Sequence, residues 1–301
     1  MASSASAAEQ ESFLVDFHAR QPGVTSRAFA RGGSYAAIVR AALRLAPTRA
    51  RIADLGCGDG YLLAELRGAG CDGPLLGLDL SAAELRAAVA RQAGAAFVRA
   101  RAQSLPLRAR SLDLVVSHLA FTLMAELDAV VAELGRVLVP GGHFVTVVGG
   151  GPSGGDAFAG FLELARPCVR GVPRLGELRA RSDRGLAELF AAGWTALTVE
   201  DLVVDLSGTP EEVWQTMAGV YELAHASARE LAAIRGAFVE RAGQWRRDDG
   251  SVGCTMATRL VHAMRAGYSP SQGAQSTDEA FTPGIGGLRS RGDTYAGRHR
   301  S

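Results

Sequence analysis

The stretch Ile52-Ala53-Asp54-Leu55-Gly56-Cys57-Gly58-Asp59-Gly60 decides the fold of this chain. An apolar strand enters it, three glycines turn the backbone, and a helical pattern begins at Tyr61. Glycine has no Cβ, so a loop built from it brings the backbone close to a ligand. The dinucleotide fingerprint G-x-G-x-x-G needs glycine at position 61. Asp54 adds a carboxylate that suits a cationic ligand with a free amino group better than a pyrophosphate.

Apolar segments and helical segments alternate on both sides of this loop. The predicted strands are residues 51–55, 75–79, 96–99, 113–117, 143–148, 197–205 and 252–262. The predicted helices that separate the first five strands are residues 61–68, 82–92 and 125–137. This alternation predicts βαβ units and a parallel sheet, in which ligands bind at the carboxyl ends of the strands. Asp54, Asp79 and Ser117-His118 fall at those ends.

The charge of the chain favours no polyanionic partner. The 301 residues carry a formal net charge of +1, and all 32 basic residues are arginine. A charge so close to zero gives no general attraction to nucleic acid or to an anionic membrane. We therefore expect neither as a partner.

The cysteines and the N-terminal residues indicate a reducing compartment. The four cysteines (Cys57, Cys71, Cys168 and Cys254) form no C-x-x-C pair and are interpreted as free thiols. Residues 1–10 lack the basic and apolar regions of a signal peptide, and no apolar window is long enough for a transmembrane helix. We expect a cytoplasmic protein.

Composition divides the chain into four parts. We predict a disordered lead over residues 1–10, a helical arm or lid over 11–46, a main domain over 47–267 and a disordered tail over 268–301. The arm is expected to hold one or two helices broken at Pro22-Gly23. Within the main domain, residues 149–182 and 210–246 are expected to form a helical cap, and 183–192 a further helix.

Five sequence segments together resemble class I S-adenosylmethionine-dependent methyltransferases, in the branch that acts on quinones and natural products. Residues 54–60 are similar to the first motif of that family, and Gly77-Leu78-Asp79-Leu80-Ser81 to the second. The later motifs are matched by Leu105-Pro106, by residues 112–115 and by residues 136–142. The resemblance is good over residues 35–148 and looser over 183–265.

This resemblance implies an α/β fold of Rossmann-like, three-layer type. Its mostly parallel sheet has seven strands, the last antiparallel to the rest, and helical insertions surround it. The implied cofactor is S-adenosyl-L-methionine. Its amino group is expected at Asp54 and its ribose at Asp79. The full expected cofactor site is Asp54, Gly56, Cys57, Gly58, Gly60, Asp79, Leu80, Ala102, Gln103, Ser117 and His118.

Two histidines are candidates for the general base, if the reaction needs one. His118 follows the fourth strand, where it could act as the base, line the methionine end of the cofactor or be structural. His18 lies in the arm, which in relatives often covers the active site. Residues proposed to line the acceptor pocket are Phe17, Thr25, Tyr35, Trp214, Met217 and Tyr221, although helical spacing of the last three is equally typical of core packing.

The function expected from these residues is methyl transfer to O, N or C of a small, apolar or aromatic molecule. An RNA methyltransferase and a non-catalytic S-adenosylmethionine-binding protein remain alternatives. Ser117-His118-Leu119-Ala120 replaces the Asn/Asp-Pro-Pro-Tyr/Phe motif common in amino-group methylases of nucleic acid. No cluster of His, Cys, Asp and Glu has metal-ligand spacing, so no metal is expected. A monomer or a homodimer is expected.

Overall fold

The glycine-rich loop joins the central strand of the sheet to a helix. The computed structural model describes residues 5–267. Its strands are β1 (Ile52–Leu55), β2 (Leu75–Asp79), β3 (Ala96–Arg99), β4 (Leu112–His118), β5 (Leu138–Pro152), β6 (Trp194–Asp205) and β7 (Thr255–Arg265). They form one seven-stranded sheet in the order β3-β2-β1-β4-β5-β7-β6, in which β7 runs antiparallel to both of its neighbours. The predicted fold class is confirmed.

Helices precede the sheet and cover both of its faces. The arm contains α1 (Ala7–Arg20), α2 (Val24–Phe29) and α3 (Ser34–Leu45). The helices between strands β1 and β6 are α4 (Tyr61–Gly68), α5 (Ala82–Arg91), α6 (Leu127–Val137), α7 (Ala157–Ala165) and α8 (Asp183–Leu189). The connection from β6 to β7 contains α9 (Pro210–Met217) and α10 (Ala228–Arg241).

Alternating strand residues build a core on each face of the sheet. Leu55 and Phe144 pack with α6 and α8 on one face, whereas Ile52 and Val145 pack with α3 and α4 on the other. A third cluster joins α7, α9 and α10 above the carboxyl ends of the strands, and contains Phe161. The sheet is thus the middle layer of three, and the third cluster forms a cap over one end.

The N-terminal prediction needs two corrections. Helix α1 begins at Ala7, because Ser6 and Glu9 form a capping box that satisfies its first backbone N–H groups, so residues 7–10 of the predicted disordered lead are helical. The arm also has three helices rather than one or two, since Gly33 adds a second break in the left-handed conformation. The predicted tail, 268–301, lies outside the described residues.

Two strands differ from their predicted bounds by three residues or more at both ends. Strand β5 begins five residues earlier and ends four residues later than the predicted 143–148, because it pairs with β4 from Leu138 and with β7 up to Pro152. Strand β7 is shifted from 252–262 to Thr255–Arg265. In both cases the pairing partner, which local sequence does not specify, sets the strand ends.

Candidate functional site

A cavity of about 380 Å³ lies at the carboxyl ends of β1, β2 and β4. The order of the strands reverses between β1 and β4, which is the position where open α/β sheets bind ligands. Arm helices α1 and α2 and cap helix α9 supply the remaining walls. Apolar side chains from α1, α2, α7, β7 and the segments that follow β4 and α9 line much of the cavity, including Leu14, Phe29, Leu119, Leu162, Val220 and Met256.

The glycine loop forms the cavity floor in a conformation that other residues rarely adopt. Gly56 and Gly58 both have positive φ, of 75° and 51°. A Cβ added to Gly56 would lie 2.3 Å from the Cβ of Ala120, so glycine is required there. Gly60 does not line the cavity, contrary to its expected role in cofactor binding. It caps α4 instead, with φ of 76°.

Asp54 is a buried carboxylate whose hydrogen-bonding capacity the protein leaves partly unsatisfied. Its side chain is 2 % exposed and lines the cavity, and its Oδ1 has no hydrogen-bond partner among residues 5–267. Burial raises its pKa well above the usual range, and the nearby carboxylates of Asp79 and Asp59 raise it further. An acceptor atom left in this condition costs stability until a donor reaches it.

Asp79 is held in place by backbone donors. Its Oδ2 accepts from the N–H of Gly58 at 2.9 Å, and its Oδ1 accepts from the N–H of Ser81 at 2.7 Å. Burial nevertheless raises its pKa above the usual range. Leu80, which follows it, also lines the cavity, so the predicted pair comes together next to the glycine loop.

His118 lines the cavity as a buried imidazole. Its ring stacks on Tyr35 at 3.7 Å between centroids, and its Nε2 lies 2.8 Å from the Ser34 Oγ. Its Nδ1 has no hydrogen-bond partner in the described part of the chain. Burial lowers its pKa to about 3, so the ring is neutral and only weakly basic near neutral pH. These properties favour a role in lining the site over the role of general base.

Ser117 does not reach the cavity. Its Oγ is fully buried and donates to the Leu55 carbonyl at 2.7 Å, which ties β4 to β1. Successive strand residues point to opposite faces, so Ser117 and His118 cannot both project the same way. The expectation that Ser117 contacts a cofactor is therefore corrected to a structural role.

His18 is the centre of a hydrogen-bonded chain that the sequence did not reveal. Its Nδ1 lies 2.7 Å from the Glu84 Oε1, and its Nε2 lies 3.0 Å from the Tyr221 hydroxyl. Glu84 also accepts from the backbone N–H of Gly23 at 2.9 Å. The sequence places Glu84 and His18 66 residues apart, so no local pattern connects them.

A second contact fastens the arm to the glycine loop. Ser26 of α2 donates to the Asp59 Oδ2 at 2.7 Å, and Arg91 of α5 forms an ion pair with the same carboxylate. Asp59 and Glu84 are both buried. The arm therefore lies against the glycine loop through polar contacts.

The far wall of the cavity contains the predicted adenine contacts. Ala102 and Gln103 line it, and the Gln103 amide donates to the Ala125 carbonyl at 2.8 Å. Cys57 also lines the cavity from the glycine loop. Its pKa is raised by burial and by neighbouring carboxylates, so the thiol stays protonated and unreactive.

Four of the six predicted acceptor-pocket residues line the cavity: Thr25, Tyr35, Met217 and Tyr221. Phe17 does not, because it packs behind Tyr221 with 4.6 Å between ring centroids. Trp214 does not either, because its ring lies in the cap core against Phe161 and Phe238. For Trp214 the alternative of core packing is the correct one.

Two further properties concern the described part of the chain alone. Within residues 5–267, no group of three or more His, Cys, Asp or Glu side chains is arranged to hold a metal ion. In the same residues, no helix combines the length and the apolar character needed to cross a bilayer.

Comparisons with known proteins agree with this geometry. Residues 53–146 match a methyltransferase domain family. A malonyl-[acyl-carrier protein] O-methyltransferase of Methylococcus capsulatus is 31% identical over 159 residues, which are 52% of this chain and 56% of that protein. The match thus spans about half the length of this relative. The mitochondrial arginine-hydroxylase NDUFAF5 of Rattus norvegicus is 26% identical over 254 residues, 81% of this chain and 71% of that protein.

A solved structure shares the fold. A Haemonchus contortus phosphoethanolamine N-methyltransferase, in complex with phosphomonomethylethanolamine and S-adenosylhomocysteine, superposes with a TM-score of 0.53 at 17% identity. The superposition covers 84% of this chain and 60% of that one. The sheet order, the glycine loop and the strand-end carboxylates agree with the match of residues 53–146 to a methyltransferase domain, and over these residues the chain is similar to class I S-adenosylmethionine-dependent methyltransferases.

Proposed function

We propose that the protein transfers a methyl group from S-adenosylmethionine to O, N or C of a small, apolar or aromatic molecule. The unpaired Asp54 Oδ1 is the observation that carries the proposal. A buried carboxylate beside two further acidic groups attracts a cation, and the methionine amino group of the cofactor is such a cation. The site residues therefore fit this cofactor.

Each part of the cofactor has a corresponding set of residues. Asp54 would accept from the amino group, with the neutral His118 beside it. Asp79, already oriented by backbone N–H groups, would accept from the ribose hydroxyls. The adenine would lie near Leu80, Ala102 and Gln103, which line the same cavity.

The bound sulfonium supplies an activated methyl group, and the protein supplies alignment. Holding reactants in line contributes up to about 7–11 kcal/mol to catalysis in favourable cases. Residues of the arm and of the cap line the cavity beside the domain residues. A base is needed only for an acceptor that holds its proton firmly. Both candidate histidines, His18 and His118, line the cavity.

The walls of the cavity support an apolar acceptor. Most of the side chains beyond the glycine loop are aliphatic or aromatic, and apolar groups bind such walls by removing surface from water. The formal net charge of +1 also gives the chain little of the surplus positive charge with which an RNA methyltransferase binds phosphates. The RNA alternative is therefore less supported than the small-molecule one.

An acceptor carboxylate is a second candidate, because of Arg181. Two arginines line the cavity, and Arg101 is paired with Glu11 and Glu126. Arg181, by contrast, forms no ion pair with any residue of the described range and donates to the Leu175 carbonyl at 3.4 Å. The malonyl-[acyl-carrier protein] relatives are named for an acceptor that bears a carboxylate, and Arg181 is placed to contact one.

The experiment has a binding arm and a turnover arm. Calorimetry with S-adenosylhomocysteine on the wild type, Asp54→Ala and Asp79→Ala tests the cofactor site, which unchanged affinity in both variants would exclude. Turnover is measured as S-adenosylhomocysteine release with phenols, amines and a malonyl thioester. Arg181→Gln should slow the malonyl thioester alone if a carboxylate is the acceptor. Binding without release for every acceptor would support the non-catalytic alternative.

A further inference from the structure

Three separate parts of the chain meet in one line of hydrogen bonds at the cavity. Glu84 lies on α5 of the main domain, His18 lies on α1 of the arm, and Tyr221 lies in the cap. All three line the cavity. Glu84 is an acceptor, so the His18 Nδ1 carries the hydrogen of the 2.7 Å contact. In the neutral ring, Nε2 then accepts the Tyr221 hydroxyl proton, and the phenol oxygen keeps its lone pairs free.

The Tyr221 ring is fixed from behind. Phe17 packs against it at 4.6 Å and Phe13 at 6.2 Å between ring centroids. Both phenylalanines lie on the same helix as His18. The arm therefore determines both the plane of the Tyr221 ring and the direction of its hydroxyl.

A series of contacts connects the hydroxyl to Asp79, the carboxylate assigned above to the ribose. Tyr221 contacts His18, and His18 contacts Glu84. The N–H of Glu84 donates to the Ser81 Oγ at 3.3 Å, and the N–H of Ser81 donates to the Asp79 Oδ1 at 2.7 Å. Tyr221 and Asp79 line the same cavity. Burial raises the pKa of Tyr221, and the charges of Asp79 and Glu84 raise it further. The phenol is protonated at neutral pH, so it serves as a hydrogen-bonding group rather than as a base.

We propose that His18 is a positioning residue, which holds the cap hydroxyl of Tyr221 over the ribose end of the cofactor site. The inference rests on the proposed function. Tyr221, expected from the sequence to line the acceptor pocket, becomes a cofactor contact. The contact of Tyr221 with the ribose forms only when the arm, the cap and the main domain are packed together. Cofactor affinity therefore depends on the arm, although the arm lies far from the glycine loop in sequence.

The test compares S-adenosylhomocysteine with its 2′,3′-dideoxyribose analogue by calorimetry. His18→Gln and Tyr221→Phe should each weaken S-adenosylhomocysteine binding by about three- to tenfold, the effect of losing one hydrogen bond. Neither substitution should change the affinity for the analogue, because the analogue lacks the ribose hydroxyls that Tyr221 would contact. The double variant should match the single variants, since His18 acts through Tyr221.

Matched variants control for structure. His225→Gln changes a histidine of the same cap that is exposed and packs edge-on to Phe13 at 5.8 Å, and should leave both affinities unchanged. Thermal unfolding of each variant shows whether it folds, and Tyr221→Phe keeps the ring if His18→Gln unfolds. Equal weakening for both ligands, or none, overturns the inference. A wild type that binds neither ligand overturns the proposed function instead.

Discussion

Replacing Asp54 with asparagine should make the ligand-free protein more stable and remove its cofactor affinity. The carboxylate is buried, and its Oδ1 finds no donor. A pKa that is higher in the folded than in the unfolded protein means that folding favours the protonated form. The contribution of the Asp54 carboxyl to the free energy of unfolding is therefore fully present below its pKa in the unfolded protein, about 3.9. This contribution is lost as the pH rises through its pKa in the folded protein. Asparagine has the same size and no charge.

The magnitude follows from the cost of an unsatisfied buried group, about 1–3 kcal/mol. The amide of asparagine retains part of this cost, so we expect a gain of about 1–2 kcal/mol at pH 8. For a domain of this size that gain corresponds to a rise in Tm of about 2–8 °C. Near pH 4 the wild-type carboxyl is protonated, and the two proteins should differ little.

The assay is thermal unfolding between pH 4 and pH 9, with and without S-adenosylhomocysteine. The ligand should raise the Tm of the wild type and leave Asp54→Asn unchanged, because binding to the folded state alone stabilises it. Asp128→Asn is the matched control. Arg179 lowers the pKa of that exposed carboxyl, so its loss should cost at most about 1 kcal/mol. A destabilised Asp54→Asn at pH 8, or one that still binds the ligand, would refute the reasoning.

Three substitutions test the cavity floor, the buried His118 imidazole and the cap one at a time. Gly56→Ala should cost about 2–4 kcal/mol and remove cofactor binding, because the new Cβ lies 2.3 Å from Ala120 and φ is 75°; thermal unfolding and calorimetry measure both. Ser34→Ala should lower the free energy of unfolding by about 1–2 kcal/mol in urea, since it leaves the His118 Nε2 without its partner. Trp214→Phe should lower stability by about 1–3 kcal/mol yet keep the affinity for S-adenosylhomocysteine within twofold, and a larger change in affinity would place Trp214 in the site after all.

Local sequence was sufficient for the strands that surround the glycine loop. Strands β1 and β2 end where predicted, because each is a short apolar run followed by a turn that glycine or serine begins. Strand β5 was predicted too short, since Pro140-Gly141-Gly142 is typical of a turn. In the structure, β5 pairs with β4 on both sides of this sequence, at Leu138 and again from His143, with a register shift between the two, and its pairing with β7 begins at His143. A local sequence pattern does not specify pairing between strands that lie far apart in the sequence.

The same distinction applies to the site. Asp54 and Asp79 were predicted because parallel strands bring their carboxyl ends together. The stripe of Trp214, Met217 and Tyr221 was less informative, because helix α9 ends at Met217 and Tyr221 begins a separate 3-10 helix. The two aromatic rings therefore do not share a face, and only Tyr221 reaches the cavity.

Four carboxylates surround the glycine loop, three of them buried and that of Asp79 half-buried, and their partners determine which one the ligand must satisfy. Asp59 has Arg91 and Ser26, Glu84 has His18 and Gly23, and Asp79 has two backbone donors. Within residues 5–267, the Asp54 Oδ1 has no hydrogen-bond partner. A neutral ligand leaves it a buried charge or forces it to take a proton, whereas an ammonium group removes the cost directly. Selection for a cofactor with a free amino group therefore follows from what the protein leaves unpaired.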